Sequence, residues 1–125
     1  MEEEFKLIKE TTKDPELHAF WRKNSEYFNA PAIVYLNLHK GHNKWSFYDL
    51  GGFGRALMLA AKDLDVDSVV AYELAKYPDV IIKFVKIPEN EDIVVGIAQG
   101  YENNDIVNKF MAKKSTLEDV CHFVK

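Results

Sequence analysis

Two short stretches combine residue types that could bind a polar or charged ligand. In "VVAYEL", residues 69–74, Tyr72 and Glu73 follow a β-branched run that is typical of a strand. Strand ends of this kind in α/β folds display backbone N–H groups, and ligands bind there. The alternative is a connecting loop in which Glu73 only supports the next helix. The residue types alone leave both interpretations open.

The second stretch is "AKKST", residues 112–116, in which Lys113 and Lys114 precede a helix predicted to begin at Ser115 or Thr116. Two ammonium groups beside a helix N-terminus could hold an anion, because both features contribute positive charge. A solvated basic turn is the plainer interpretation, and the residue types alone favour it.

Metal-ligating and nucleophilic patterns are weaker. His39 and His42 lie three positions apart in "HKGH", but no third ligand follows at a recognisable spacing, so two solvated histidines are favoured and no metal site is predicted. Cys121 lies beside apolar Val120, and we expect a buried small side chain. No serine–histidine–acid signature occurs, so no catalytic side chain is predicted.

The stretch "DLGGFGRALMLAA", residues 49–61, carries three closely spaced glycines and raises the question of a phosphate-binding loop. Ser46, with Asp49 three residues later, predicts a capping box at the start of a helix. The apolar face of that helix continues through Leu50, Phe53, Leu57, Ala60 and Leu64.

The glycines therefore lie inside the first two turns of this helix, whereas a phosphate loop would place them before the helix begins. Each glycine costs about 1 kcal/mol relative to alanine in a helix. We therefore expect close approach of another backbone or of a ligand to offset that cost at Gly51, Gly52 and Gly54.

Helices and strands alternate along the rest of the chain. Helices are predicted over residues 2–12 and 16–28, over 76–87 with an apolar face of Val80, Ile81, Phe84 and Val85, and after residue 116 as far as Phe123. Strands are predicted over 32–38 and 92–101, with a short strand or loop from Val66. No linker or repeat interrupts the pattern, which predicts one α+β or three-layer α/β domain over residues 1–125.

Composition excludes several classes of protein. The chain has 125 residues, 47% of them hydrophobic and 29% charged, which is typical of a globular domain. Its net charge of -4 predicts no nucleic-acid partner. No apolar run approaches membrane-spanning length, and the acidic start "MEEEFKLIKE" is unlike a signal peptide. With a single cysteine as well, we expect a soluble protein in the cytoplasm.

Taken in order, four stretches resemble the nitroreductase family of FMN-dependent NAD(P)H oxidoreductases. They are "NAPAIVYLNL", "WSFYDLGGFGRALMLAAKDLDVDSVVAYELAKYPD", "IPENEDIVVGIAQGY" and "NKFMAKKSTLEDV". The resemblance runs from about Trp21 to the C-terminus and rests on order and spacing, since no single motif would suffice. It implies a three-layer α/β/α sandwich with a mostly antiparallel sheet and flanking helices.

The resemblance also implies a function and a site. It implies an intertwined homodimer in which Gly51, Gly52 and Gly54 permit close approach of the neighbouring subunit. Backbone groups of Ala71, Tyr72 and Glu73 would lie against the FMN ring near N5, and Lys113 and Lys114 would reach its phosphate. NAD(P)H would reduce the FMN, and a nitroaromatic or quinone-type acceptor would reoxidise it in a ping-pong cycle.

The chain departs from the family at its N-terminal end and in its tail. The Arg-Ser-x-Arg motif with which family members begin is absent, and so is roughly the first third of the family's length. Met111 stands where an arginine is common. The chain therefore resembles the C-terminal part of a nitroreductase. The alternative is a flavin-binding or interaction module that has lost catalysis with the N-terminal part.

Overall fold

The structure is a computed structural model that describes residues 26–104, 108 and 113–124. Three strands lie in it, β1 (Ala32–His39), β2 (Asp67–Ala71) and β3 (Glu91–Gly100). The long helix α1 spans Lys44–Asp63, and the single turns α2 and α3 span Pro78–Ile81 and Leu117–Val120. Two 3-10 turns cover Tyr27–Asn29 and Tyr72–Ala75. The helix predicted over residues 2–12, and most of the one over 16–28, lie outside the described residues.

The three strands form one antiparallel sheet in the order β1-β3-β2. Strand β3 lies in the centre because its apolar run suits burial on both faces, and its residues Gly96, Ile97 and Ala98 are buried. The predicted strand over 92–101 is thereby confirmed with its bounds shifted by one residue. Cross-strand pairs share a face, so the pair Tyr35 and Gly96 points away from the pair Val34 and Ile97.

Different elements cover the two faces of the sheet. Helix α1 packs on one face, where Gly54 lies against the side chains of Leu36 and Ile97. The turn Tyr72–Ala75 packs on the opposite face, where Leu74 lies against Gly96. The described residues thus form a mixed α+β fold with an antiparallel sheet, as the sequence predicted.

Helix α1 begins earlier than the sequence predicted. The capping residue is Asn43, whose side-chain oxygen accepts hydrogen bonds from the backbone N–H groups of Trp45 at 2.9 Å and Ser46 at 3.3 Å. Asparagine is among the preferred N-cap residues, and it satisfies amides that the helix leaves unpaired. The predicted capping box of Ser46 and Asp49 is therefore wrong, because both residues already lie inside the helix.

The three glycines of α1 lie in its interior, so the stretch is not a phosphate loop. Gly54 is buried against its own sheet, where an added Cβ would lie 3.1 Å from Leu36 Cδ1. The expectation that Gly54 meets a neighbouring subunit is thus wrong, because the close approach is made within one chain. Gly51 and Gly52 face open space, with nothing within 4 Å of an added Cβ.

Two further predictions fail for the same physical reason. The helix predicted around Pro78 ends at Ile81, and the segment continues in turns as far as Phe84, which is 85% exposed. Cys121 is exposed, although a buried side chain was predicted, because α3 is a single exposed turn. Short apolar patterns predicted helical faces in both places. Of the first face Ile81 is buried but Val80 and Phe84 are exposed, and Val120 and Phe123 of the second are exposed, so burial is too small to extend either helix.

Asp67 joins three elements at one end of the sheet. Its carboxylate receives the Lys62 ammonium at 2.6 Å, at the end of α1, and the backbone N–H of Glu102 at 3.0 Å, just after β3. The hydrogen bond from Lys62, followed by the one from Glu102, holds the pKa of Asp67 below its ordinary value.

We predict that the hydrogen bonds of Asp67 make the stability of the fold depend on pH. Since the folded-state pKa of Asp67 lies below the ordinary value of 3.8, its carboxylate stabilises the fold above that value. The contribution is lost as the pH falls through the folded-state pKa. The melting temperature of the wild type should exceed that of Asp67→Asn near neutral pH, and this excess should shrink below about pH 4. Asp92→Asn, another charge removal, is the control, and an excess independent of pH would contradict the assignment.

Candidate functional site

The predicted ligand-binding residues Ala71, Tyr72 and Glu73 lie where strand β2 ends. Ala71 is the last residue of β2 and pairs with Gly96 of the central strand. Tyr72 and Glu73 then begin the 3-10 turn Tyr72–Ala75, for which Ala71 is an N-cap without a side-chain hydrogen bond. The structure therefore brings the three residues together at one strand end, as the sequence predicted.

Leu74 fixes the position of this turn. Its side chain is fully buried, with 0% exposure, and it lies directly over Gly96. A Cβ at residue 96 would overlap Leu74 Cβ and would lie 3.4 Å from the ring of Tyr35. Glycine at position 96 is thus required by close packing, and the turn is seated on the central strand. A glycine in an otherwise apolar strand signals close approach of another group, but no local pattern names Leu74 as the partner of Gly96.

The polar side chain of the turn is already paired. Glu73 accepts hydrogen bonds from the Lys76 ammonium at 3.0 and 3.2 Å, an ion pair whose side chains are 32% and 38% exposed. The hydrogen bond that Lys76 donates to Glu73 raises the pKa of Lys76, whose Nζ also lies 5.3 Å from the centre of the Tyr77 ring. Glu73 supports the local chain through this pair, which matches the plainer interpretation of its side chain and leaves the backbone of the turn as the feature for binding.

Lys113 and Lys114 are exposed and precede the single turn α3. The start of α3 is closed by its own capping box, in which the Asp119 carboxylate accepts from Thr116 N at 3.0 Å and Thr116 Oγ1 at 2.8 Å. These hydrogen bonds lower the pKa of Asp119, so a carboxylate already occupies the helix terminus that was expected to aid anion binding. Among the described residues, an anion site here therefore depends on the charges of Lys113 and Lys114.

A cleft that the sequence did not reveal lies at the other end of the sheet. It encloses about 460 Å³ and is lined by residues that include Pro31, Asp67, Val69, Gly100 and Tyr101. None of the predicted site residues lines it. The cleft arises where the chain before β1 meets the end of β3, a contact between residues distant in sequence, and local patterns carry no signal for it.

The two histidines of "HKGH" lie close to backbone carbonyl oxygens, His39 at the end of β1 and His42 in the loop that follows. His39 Nδ1 lies 2.6 Å from the carbonyl oxygen of Lys40, and His42 Nδ1 lies 3.2 Å from that of His39. Within the described residues no group of three or more metal-ligating side chains converges. In the same part of the chain, no helix has the length and apolar character needed to cross a membrane.

Comparison with known proteins identifies the family. The chain matches the nitroreductase family over residues 2–101 and belongs to it. A 4-nitrobenzoate reductase from Pseudomonas putida is 26% identical over 102 residues, which cover 81% of this chain and 45% of that protein. The family match begins closer to the N-terminus than the predicted resemblance. It ends before Lys113 and Lys114.

Solved structures support the same fold. The FMN-dependent nitroreductase NfnB from Mycobacterium smegmatis, in complex with NADPH, superposes with a TM-score of 0.79 at 22% identity, over 87% of this chain and 49% of that one. A nitroreductase with bound FMN from Bacteroides fragilis superposes with a TM-score of 0.62 at 21% identity, over 79% of this chain and 54% of that one. The chain thus spans about half the length of the proteins it matches.

We predict that two glycine-to-alanine substitutions have opposite effects on stability. Gly96→Ala should destabilise the fold by about 1–3 kcal/mol, because the new methyl group overlaps buried Leu74. Gly52→Ala adds a methyl group where no atom of the same chain lies within 4 Å, so it should stabilise the fold of the single chain by up to about 1 kcal/mol through helix propensity. Urea unfolding of both variants measures the difference. Equal effects would mean that Leu74 does not seat the turn on β3.

Proposed function

We propose that this chain is the flavin-binding part of an FMN-dependent NAD(P)H oxidoreductase. Membership of the nitroreductase family supports the reaction class. The observation that carries the proposal is the turn Tyr72–Ala75, which Leu74 seats rigidly at the end of β2. A planar cofactor needs backbone groups held in a fixed place, and a buried anchor under an exposed turn provides that.

The backbone of the turn and the two lysines have the chemical groups that an FMN ring and its phosphate require. The start of the turn has no side-chain cap, so its backbone groups can face a ring with hydrogen-bonding nitrogens. In the proposal Ala71, Tyr72 and Glu73 provide that surface. Lys113 and Lys114, which make no ion pair with another described residue, provide charge for the phosphate. Lysine binds phosphate as a point charge, without the two-pronged geometry of arginine.

Bound FMN would supply the redox chemistry, by accepting hydride and passing electrons on. The chain would orient the ring against its backbone and hold the phosphate, and no side chain would act as an acid or base. NAD(P)H is the proposed donor, and nitroaromatic or quinone-type compounds are the proposed acceptors in a ping-pong cycle. A nitroreductase in complex with NADPH and a 4-nitrobenzoate reductase among the similar proteins support these classes.

The second candidate is a nitroreductase-like module that binds flavin or a protein partner without turnover. The observation that favours it is length, since the chain spans about half of the proteins it matches. The visible absorbance spectrum separates the two. For an oxidoreductase we expect a yellow protein, as purified or after addition of FMN, that bleaches with NADPH or NADH without oxygen and recovers with an acceptor. Bound flavin that never bleaches would favour the module, and no bound flavin would contradict both roles in flavin binding.

We further propose a cytoplasmic homodimer. Helix α1 carries apolar side chains that are more than half exposed, Trp45, Phe53 and Leu59 among them, and an exposed apolar surface of this kind favours association. Light scattering at micromolar concentration should give twice the chain mass. Gly52→Leu should reduce dimerisation without unfolding the chain, since nothing in the same chain lies near residue 52. A wild-type monomer, or an unaffected dimer in the variant, would contradict this packing.

If Lys113 and Lys114 bind the phosphate of FMN, removing them should weaken the binding of FMN but not that of riboflavin. Lys113→Ala/Lys114→Ala should weaken FMN binding by on the order of 2 kcal/mol, which is more than tenfold, and the loss should shrink at high salt. Riboflavin has no phosphate, and it should bind the wild type and the double variant equally. Quenching of flavin fluorescence measures both affinities. Unchanged affinity for FMN would leave the two lysines as a solvated basic turn.

A further inference from the structure

Tyr72 differs from the other side chains of its turn. Leu74 is buried against Gly96, and Glu73 is held by Lys76. The ring of Tyr72 is 77% exposed and makes no hydrogen bond or ring contact with another described residue. The neighbouring Tyr77 at least receives the Lys76 ammonium over its ring. Tyr72 is therefore an aromatic ring that is held at a fixed point of the backbone and that the described residues leave largely exposed.

We propose that the phenol ring of Tyr72 stacks on the bound flavin and is a side-chain contact of the cofactor site. The inference rests on the proposed function, which puts the backbone of Ala71, Tyr72 and Glu73 against the same ring. It goes further by assigning a role to a side chain. Only the Cβ methylene group separates the phenol ring from the backbone of Tyr72, so a flat ligand held by that backbone lies within reach of the ring.

Two physical features favour stacking at this position. The backbone that carries Tyr72 is anchored by Leu74, which is 0% exposed, so little backbone conformational entropy is lost when the ring binds a ligand. Tyrosine has two rotatable side-chain bonds and buries a large area at low entropic cost. Offset stacking between aromatic rings adds affinity beyond the buried area. The exposed ring thus gains a partner that the described chain itself does not supply.

The test uses the emission of bound FMN. A phenol stacked on an isoalloxazine ring quenches its fluorescence by reversible electron transfer, a property that phenylalanine and leucine lack. Tyr72→Leu should weaken FMN binding roughly two- to tenfold and raise the emission of the bound flavin. Tyr72→Phe keeps the stacking surface, so it should retain nearly wild-type affinity but also show raised emission.

Tyr101→Leu is the matched control. Tyr101 is 79% exposed, close to the value for Tyr72, and it lines the cleft at the opposite end of the sheet. We expect this variant to bind FMN with wild-type affinity and wild-type emission. Thermal melting should be the same for all variants, because both rings are exposed.

The possible results distinguish a failure of the Tyr72 contact from a failure of the proposed function. If the wild type fails to bind FMN, the proposed function fails and the inference falls with it. If the wild type binds FMN but the Tyr72 variants bind and emit like the wild type, only the inference is overturned. Raised emission in Tyr101→Leu alone would overturn it as well and move the flavin to the cleft.

Discussion

The close packing of Leu74 against Gly96 is the contact on which the arrangement of the site depends. Glycine leaves the central strand without a side chain at residue 96, and Leu74 fills that space completely. The turn Tyr72–Ala75 is thereby joined to β3 as well as to β2, from which it continues. A turn of four residues could not hold a position by its own hydrogen bonds, because so short a helix is unstable alone. The sheet provides the rigidity that a binding surface needs.

The other face of the sheet depends on a second glycine. Gly54 brings α1 close to Leu36 and Ile97, and Asp67 joins the end of the helix to the start of β2. Helix α1, the sheet and the turn thus form one packed unit. The chain that contains this unit spans about half the length of the similar proteins. This unit contains the proposed ring-binding surface, whereas Lys113 and Lys114 lie beyond the family match that ends at residue 101.

Local patterns predicted those parts of the fold that local physics determines. Strand β3 and helix α1 follow from the side-chain spacing of strands and helices. The apolar face predicted for α1 is not buried, since Phe53 is 59% exposed and Gly54 is the buried residue of that helix. For the segment from Val66 the sequence left a short strand and a loop open, and the structure has the strand β2, which ends at Ala71. What the sequence could not give depends on contacts between distant residues. Gly54 was assigned to a neighbouring subunit because its true partner, Leu36, lies in another element. The exposure of Cys121 and the cleft beside Gly100 also depend on which elements meet, and no local spacing encodes that.

The central claim is that FMN binds against the turn that Leu74 anchors. Backbone amide hydrogen exchange, measured with and without FMN, tests it most directly, because each amide reports its own protection. Saturating FMN should slow exchange in a peptide covering Tyr72 to Ala75, while one covering Tyr101 to Asn103 at the cleft should be unchanged. Slower exchange at the cleft, with the turn unaffected, would contradict the claim.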